Sequence, residues 1–225
     1  MELYKERHAS WLENFYDLIT AIVVLQLSIN LNNNVTLIGF ASYVALFIPV
    51  FWVWIGVTFY SSRFGTDDMT HRFLTLLQIG ASAFMAVNIP DGLGKNSAWF
   101  ALSYAISRGI LVIEYIRAGR HVKAARSLTY RYSVGFSVAA TIWLVSAFVP
   151  PPLRYVLWII GMSVDMCTPL LFTRRFTAQF APHIQHLPER FGSFTIIVLG
   201  IAILGGLQYW ELSMGSQPMN GQSIP

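Results

Sequence analysis

Long apolar runs broken by short polar stretches dominate this chain. Runs such as "TAIVVLQL", "YVALFIPVFWVWIGV" and "FTIIVLGIAIL" are continuously apolar, whereas membrane-spanning strands read as alternating segments of about ten residues. Windows of about 18 or more mostly apolar residues are long enough to cross a hydrocarbon layer of about 30 Å as helix. Seven such windows fall at roughly 14–31, 36–60, 73–90, 97–117, 132–149, 153–173 and 191–210. The pattern predicts an all-α fold, a polytopic transmembrane bundle of about seven spans in a single domain over 1–210. From residue 211 the sequence becomes "ELSMGSQPMNGQSIP", a polar tail with little to bury and expected to be disordered.

Composition agrees with a membrane solvent. Of 225 residues, 55% are apolar and 12% charged, about half the charge of an ordinary soluble domain, and mean hydropathy is +0.53. Trp52, Trp54, Tyr60, Trp99, Tyr155 and Trp210 lie near the ends of apolar runs, where amphipathic rings anchor at the interface. The single cysteine, Cys167, excludes an intrachain disulfide and reads as a buried free thiol.

Lysine and arginine are distributed asymmetrically. With the N-terminus inside, Lys5, Arg7, Arg63, Arg72, Arg117, Arg120, Lys123, Arg126, Arg131, Arg174, Arg175 and Arg190 are cytoplasmic, against Lys95 and Arg154 outside; Arg108 falls within a span. Positively charged loops stay in the cytoplasm, so the N-terminus is predicted cytoplasmic. The net charge of +4 is therefore a topology signal and implies no nucleic-acid partner. The first apolar run ends in "NLNNN" and not in a small-residue cleavage site, and it is read as a retained membrane helix.

Several polar residues fall inside the predicted spans. Ser10 followed by Glu13 has the spacing of a capping box at a helix start. Asp17, one turn deeper, must be paired, hydrated or protonated. Arg108 and Asp165 both lie near the midplane, where each isolated charge costs about 2.5–3.5 kcal/mol, so they are expected to pair. Glu114 is expected at the interface, and Gln26, Gln78 and Asn88 as interhelical hydrogen-bonding groups. Small residues, including Gly80, Gly135, Ala139 and Gly200, are expected to let helices approach.

Other chemistry finds little support. His183 and His186 stand three apart with no third metal ligand nearby, no phosphate-binding glycine loop is present, and no cofactor or metal is expected. All three lysines, Lys5, Lys95 and Lys123, fall in loops, which excludes a retinal Schiff base.

"WLENFYDL", "FYSSRFGTDDMTHR", "LLQIGASAFMAVNIPD", "FVPPPLRYVLW" and above all "HLPERFGSFTIIVLG" together resemble the bacterial low temperature requirement protein A family, in order from about residue 9 to residue 200. The resemblance implies a multi-pass protein of the bacterial cytoplasmic membrane, and the family name records a cold-growth phenotype. Family members usually continue "IIVLGES" and then add helices. Here Ile201 and Ala202 follow Gly200, so the chain reads as a C-terminally shortened member lacking a glutamate that would face Asp17. A homo-oligomer, or a second chain supplying helices, would complete it.

Within the motifs, Pro188 suits a first helical turn with Glu189 near the positive helix end, and Thr66 or Asp67 is expected to cap the third helix with Asp68 on its dipole. If spans one, three and seven are neighbours, Glu13, Asp17, Asp67, Asp68, Arg72, Glu189 and Arg190 form one cytoplasmic vestibule leading to Asp17. The reading predicts a transporter or channel for a proton, small ion or small solute, with Asp17 and Glu13 in the pathway and Arg108 with Asp165 in the middle. The alternatives are a non-transporting sensor or structural protein supporting cold growth, or a membrane enzyme. No nucleophile and base stand together, which disfavours the enzyme.

Overall fold

The computed structural model describes residues 10–176 and 186–215, with side chains described over 10–171 and 187–204. Its seven α-helices are α1 (Trp11–Asn32), α2 (Leu37–Phe64), α3 (Met69–Val87), α4 (Ser97–His121), α5 (Arg126–Ala147), α6 (Leu153–Phe176) and α7 (His186–Gly215), with a 3₁₀ turn at Lys123–Ala125 before α5. The fold is all-α, and the described residues contain no strand. Each predicted span corresponds to one helix, but the helices begin or end up to about six residues beyond the apolar windows, because interfacial polar turns carry backbone hydrogen bonds as well as apolar ones do. α7 runs through Gly215. Residues 216–225, like Lys5, Arg7 and His183, lie outside the described residues.

Local sequence explains the helix starts. Both halves of the capping box form at α1: Ser10 Oγ accepts from the Glu13 amide (3.2 Å), and the Ser10 amide donates to Glu13 Oε2 (2.8 Å). Thr36 caps α2 through the Gly39 amide. At α3 the cap is Asp68 and not Thr66 or Asp67: Asp68 Oδ1 accepts from the His71 amide at 3.0 Å.

α4 is central and packs on α2, α3 and α5; α5 packs on α6, and α1 packs on α2, α3 and α7. Two glycines let α5 and α6 approach: a Cβ on Gly135 would meet the Thr168 side chain at 2.3 Å, and one on Gly161 would meet the Trp143 ring at 2.8 Å. Gly80 and Gly200 face open space, so neither is a packing device.

The distribution of polarity is inverted relative to a water-soluble bundle. Ile22, Leu76, Ile113, Val138, Leu170 and Leu199 point outward, while Glu13, Asp17, Arg108, Glu114, Asp165 and Arg190 are buried. Such an exterior suits hydrocarbon, where interior polar groups must satisfy one another. α1, α2, α4 and the Leu187–Leu204 stretch of α7 are each long and apolar enough to cross a membrane. α3, at 19 residues, spans about 28 Å, and α5 and α6 are longer, at 22 and 24 residues. The chain is a helical membrane-type protein.

Two residue types behave differently from expectation. Trp54 and Tyr60 are buried at 0% and 1% exposure, not placed in an interfacial belt, because each finds aromatic partners inside the bundle. Cys167 is exposed, on the outward face of α6.

Candidate functional site

Asp17 lies on the inner face of α1, fully buried. Trp54 Nε1 of α2 donates to its Oδ1 at 2.7 Å. Arg190 of α7 grips both oxygens, Nε to Oδ2 at 3.2 Å and Nη2 to Oδ1. The same guanidinium lies 3.8 Å from Glu13 Oε1 and donates to the Glu13 carbonyl at 3.5 Å. One helical turn separates Glu13 from Asp17, so both face the same arginine. The Trp54 ring is held in turn by α7, stacked on Phe194 at 4.3 Å and edge-on to Phe191 at 4.9 Å. "WLENFYDL" and "HLPERFGSFTIIVLG" thus meet at one carboxylate, 173 residues apart in sequence.

A second ion pair joins α4 and α6. Arg108 Nε lies 2.7 Å from Asp165 Oδ2, with both side chains at most 1% exposed. Tyr104 donates its hydroxyl to the same carboxylate oxygen and accepts from Arg108 Nε at 3.2 Å. Arg108 Nη2 donates to the Trp52 carbonyl of α2 at 2.8 Å. The approach to α2 depends on Gly56, where a Cβ would lie 2.4 Å from Arg108 Nη1. Pro169, one turn after Asp165, has no amide to offer the Asp165 carbonyl, which interrupts the α6 ladder beside the pair.

A third group closes the basic end. His71 Nδ1 of α3 lies 3.0 Å from Glu114 Oε1 of α4, both buried. Glu114 is therefore internal and not interfacial. Asp68 binds Arg117 and the Thr66 hydroxyl, and that hydroxyl, the His71 amide and Arg117 hold its carboxyl well below the usual carboxylate range. Asp67 and Arg72 pair at 2.8 Å, largely exposed. Asp67, Arg72 and His71 line a cavity of about 300 Å³ with Ser10, Leu12 and Thr75.

Several buried polar atoms on the same inner faces have no hydrogen-bond partner among the described residues. They are Thr58 Oγ1 and Ser62 Oγ on α2, Gln78 Oε1 on α3 and Ser107 Oγ on α4. Tyr16 of α1 lies beside Ser82 and Gln78 of α3, in the neighbourhood of Arg190 and Asp17. Buried polar groups normally find partners, so a run of unsatisfied ones beside two ion pairs is a place for ordered water or a hydrated ion.

The structure sorts the expected vestibule into two parts. Asp67, Asp68 and Arg72 stay at the surface of the basic end. Glu13, Asp17 and Arg190 form a closed buried cluster, and Asp17 does not line the cavity. Glu189 is exposed on α7. Arg190 changes role most: counted as a loop cation, it is the chief partner of Asp17, because α7 begins before its apolar run and carries Arg190 inward on its first turns. Trp54, Tyr104, His71 and Glu114 join the site without any one-dimensional signal beyond residue type. Among the described residues no group of three or more His, Cys, Asp or Glu is placed to hold a metal; His183 lies outside the described residues, as does the His186 side chain.

A sequence model of the bacterial low temperature requirement A protein matches residues 8–224. A curated relative from Rhizobium meliloti (strain 1021), described as uncharacterized protein RA0937, is 29% identical over 212 residues, covering 87% of this chain and 50% of the relative. The chain thus spans about half the length of that relative. No solved structure matches.

Proposed function

The chain belongs to the bacterial low temperature requirement A family, and from that premise we propose that it is a multi-pass protein of the cytoplasmic membrane, N-terminus inside, whose buried polar column carries a proton or small ion. The observation that carries the reading is the column itself. Two fully buried ion pairs, Asp17 with Arg190 and Arg108 with Asp165, share the bundle interior with buried polar atoms that have no hydrogen-bond partner among the described residues, Thr58 Oγ1, Ser62 Oγ, Gln78 Oε1 and Ser107 Oγ. Arg108 and Asp165 together would cost about 5–7 kcal/mol unpaired near the midplane. Apolar residues of similar size often replace a buried ion pair at no loss of stability, so fold stability alone gives little reason for these pairs, and intramembrane ionisable groups commonly mark ion paths.

In this geometry the column is closed. Asp17 is shut off by Arg190 and Trp54, and any path must open that pair. A proton placed on Asp17 removes its negative charge and loosens its hold on the guanidinium. Glu13, already 3.8 Å from Arg190, is positioned to retain the cation. Protonation of Asp17 would then couple to a shift of α7 against α1, uncovering Tyr16 and the unpartnered groups beyond it. Proton and monovalent-cation flux into liposomes containing the purified chain, measured beside Asp17→Asn, tests this. Flux lost in the variant supports the reading; equal flux from both proteins, or none from either, refutes it.

A further inference from the structure

A separate cavity of about 450 Å³ lies between α2, α4, α5 and α6 on the side away from Asp17, within the size range of small-ligand sites. Its walls are aromatic and aliphatic, among them Phe59, Tyr132, Phe136 and Leu170, with two guanidinium groups, Arg63 and Arg108. The two arginines are in different electrical states. Arg108 is neutralised by Asp165 at 2.7 Å and covered by the Phe136 ring at 5.6 Å. Arg63 has no carboxylate within ion-pairing distance among the described residues, and its buried Nε has no hydrogen-bond partner. Its guanidinium is fixed between the rings of Phe59 (5.6 Å) and Tyr132 (5.8 Å), and Nη1 donates to the Tyr132 hydroxyl at 3.4 Å. The cavity wall therefore holds two cations, one of them neutralised by Asp165 behind it, a net positive site framed by apolar surface.

We propose that this cavity binds a membrane lipid with an acidic headgroup, its phosphate on Arg63 and an acyl chain along α2 toward Trp52. Three features select that occupant. A guanidinium held by two rings presents a rigid fork of donors suited to a phosphate. The cavity opens beside Leu170, which is 69% exposed on the outward apolar face of α6. From Trp52 to Arg63 the α2 wall rises about 16 Å, leading from the bundle interior to the basic end, where headgroups lie. Residues of α2 and of α6, Trp52 and Leu170 among them, line the same cavity, so it lies along the seam between these two helices.

The test is native mass spectrometry of the purified chain in a nonionic detergent with phosphatidylglycerol or phosphatidylcholine of identical acyl chains. A one-to-one phosphatidylglycerol adduct is expected, weakened about thirtyfold or more by Arg63→Gln and unchanged by Arg120→Gln, which lies in a different basic cavity. Leu170→Trp, which narrows the mouth without altering charge, is expected to weaken the adduct as well, and it decides the matter if Arg63→Gln fails to fold. Equal retention of the two lipids, or an adduct indifferent to both variants, overturns the proposal. Competition by inorganic phosphate as effective as by the lipid overturns the lipid assignment in favour of a free oxyanion. None of these readouts depends on ion flux, so the outcome is independent of the proton reading.

Discussion

Neutralising one partner at a time in the Asp17 to Arg190 pair should produce unequal losses of stability. Arg190→Met removes the cation from both Asp17 oxygens and leaves a fully buried carboxylate with the Trp54 indole at 2.7 Å as its remaining hydrogen bond. Breaking a buried pair from one side costs about 3–5 kcal/mol, since the surviving charge stays desolvated. Asp17→Asn is milder: the amide oxygen still accepts from Trp54, and Arg190 keeps the Glu13 carboxylate at 3.8 Å and the Glu13 carbonyl at 3.5 Å. Removing both charges leaves no orphan carboxylate at position 17, so the double variant should be more stable than the sum of single losses predicts, by up to about 3 kcal/mol. The assay is a double-mutant cycle of thermal or detergent unfolding in bicelles, with tryptophan fluorescence as readout. A coupling below about 0.5 kcal/mol, or Asp17→Asn costing more than Arg190→Met, would refute the claim that this pair closes α7 onto α1.

Three further outcomes follow from particular contacts. Gly56→Ala places a Cβ 2.4 Å from Arg108 Nη1 and 3.0 Å from Leu111 Cδ2; because Asp165 and the Trp52 carbonyl anchor Arg108, the side chain has no cheap escape, and a loss of about 1–3 kcal/mol is expected in the same unfolding assay. Gly109→Ala, with nothing within 4 Å, is the control and should be neutral or stabilising by up to about 1 kcal/mol. Asp68→Ala removes the α3 cap, and unfolding midpoints should show a loss of about 0.5–2 kcal/mol. Since the folded protein holds the Asp68 carboxyl below its usual range, its contribution is complete above about pH 4 and declines as pH falls further toward the folded value; a midpoint against pH curve that is steeper in Asp68→Ala than in the parent below pH 4 would contradict this.

Much of this architecture was readable from one dimension because membrane helices announce themselves by length and apolarity. The existence of α1 to α7 follows from seven windows, and the depth and sign of Arg108 and Asp165 made their pairing the least costly arrangement. Boundaries were less legible: α5 begins at Arg126, six residues before its apolar window, because the turn from Arg126 to Arg131 can be helical while facing polar surroundings. The α3 cap was misplaced by one or two residues for a similar reason, as Thr66, Asp67 and Asp68 are all competent cap residues and only backbone geometry selects among them.

The partner of Asp17 was illegible for a different reason. The cost of its burial was evident, but Arg190 stands among Pro188, Glu189 and Gly192, a polar stretch that a hydropathy reading assigns to a loop. Nothing in sequence spacing places α7 beside α1. Trp54 was equally hidden: a tryptophan near the end of an apolar run looks like an interface anchor, and only the docking of Phe191 and Phe194 turns it into a buried donor. His71 and Glu114 illustrate the same limit, each unremarkable alone and joined only by the packing of α3 on α4.

The same geometry bears on Ile201, where family resemblance leads one to expect a glutamate facing Asp17. α1 and α7 both begin at the basic end and run parallel, with Asp17 level with Arg190. Position 201 is eleven residues farther along α7, about 16 Å beyond that level, so a carboxylate there would lie near the far half of α1 and could not take the place of Arg190. Ile201 instead packs against the apolar cluster containing Val24, Ile79 and Phe194. An Ile201→Glu substitution would therefore add a charge to an apolar contact and leave the Asp17 pair intact. Asp17 needs no residue from that position, because within residues 10–204 its charge is already met by Arg190 and its remaining hydrogen bond by Trp54.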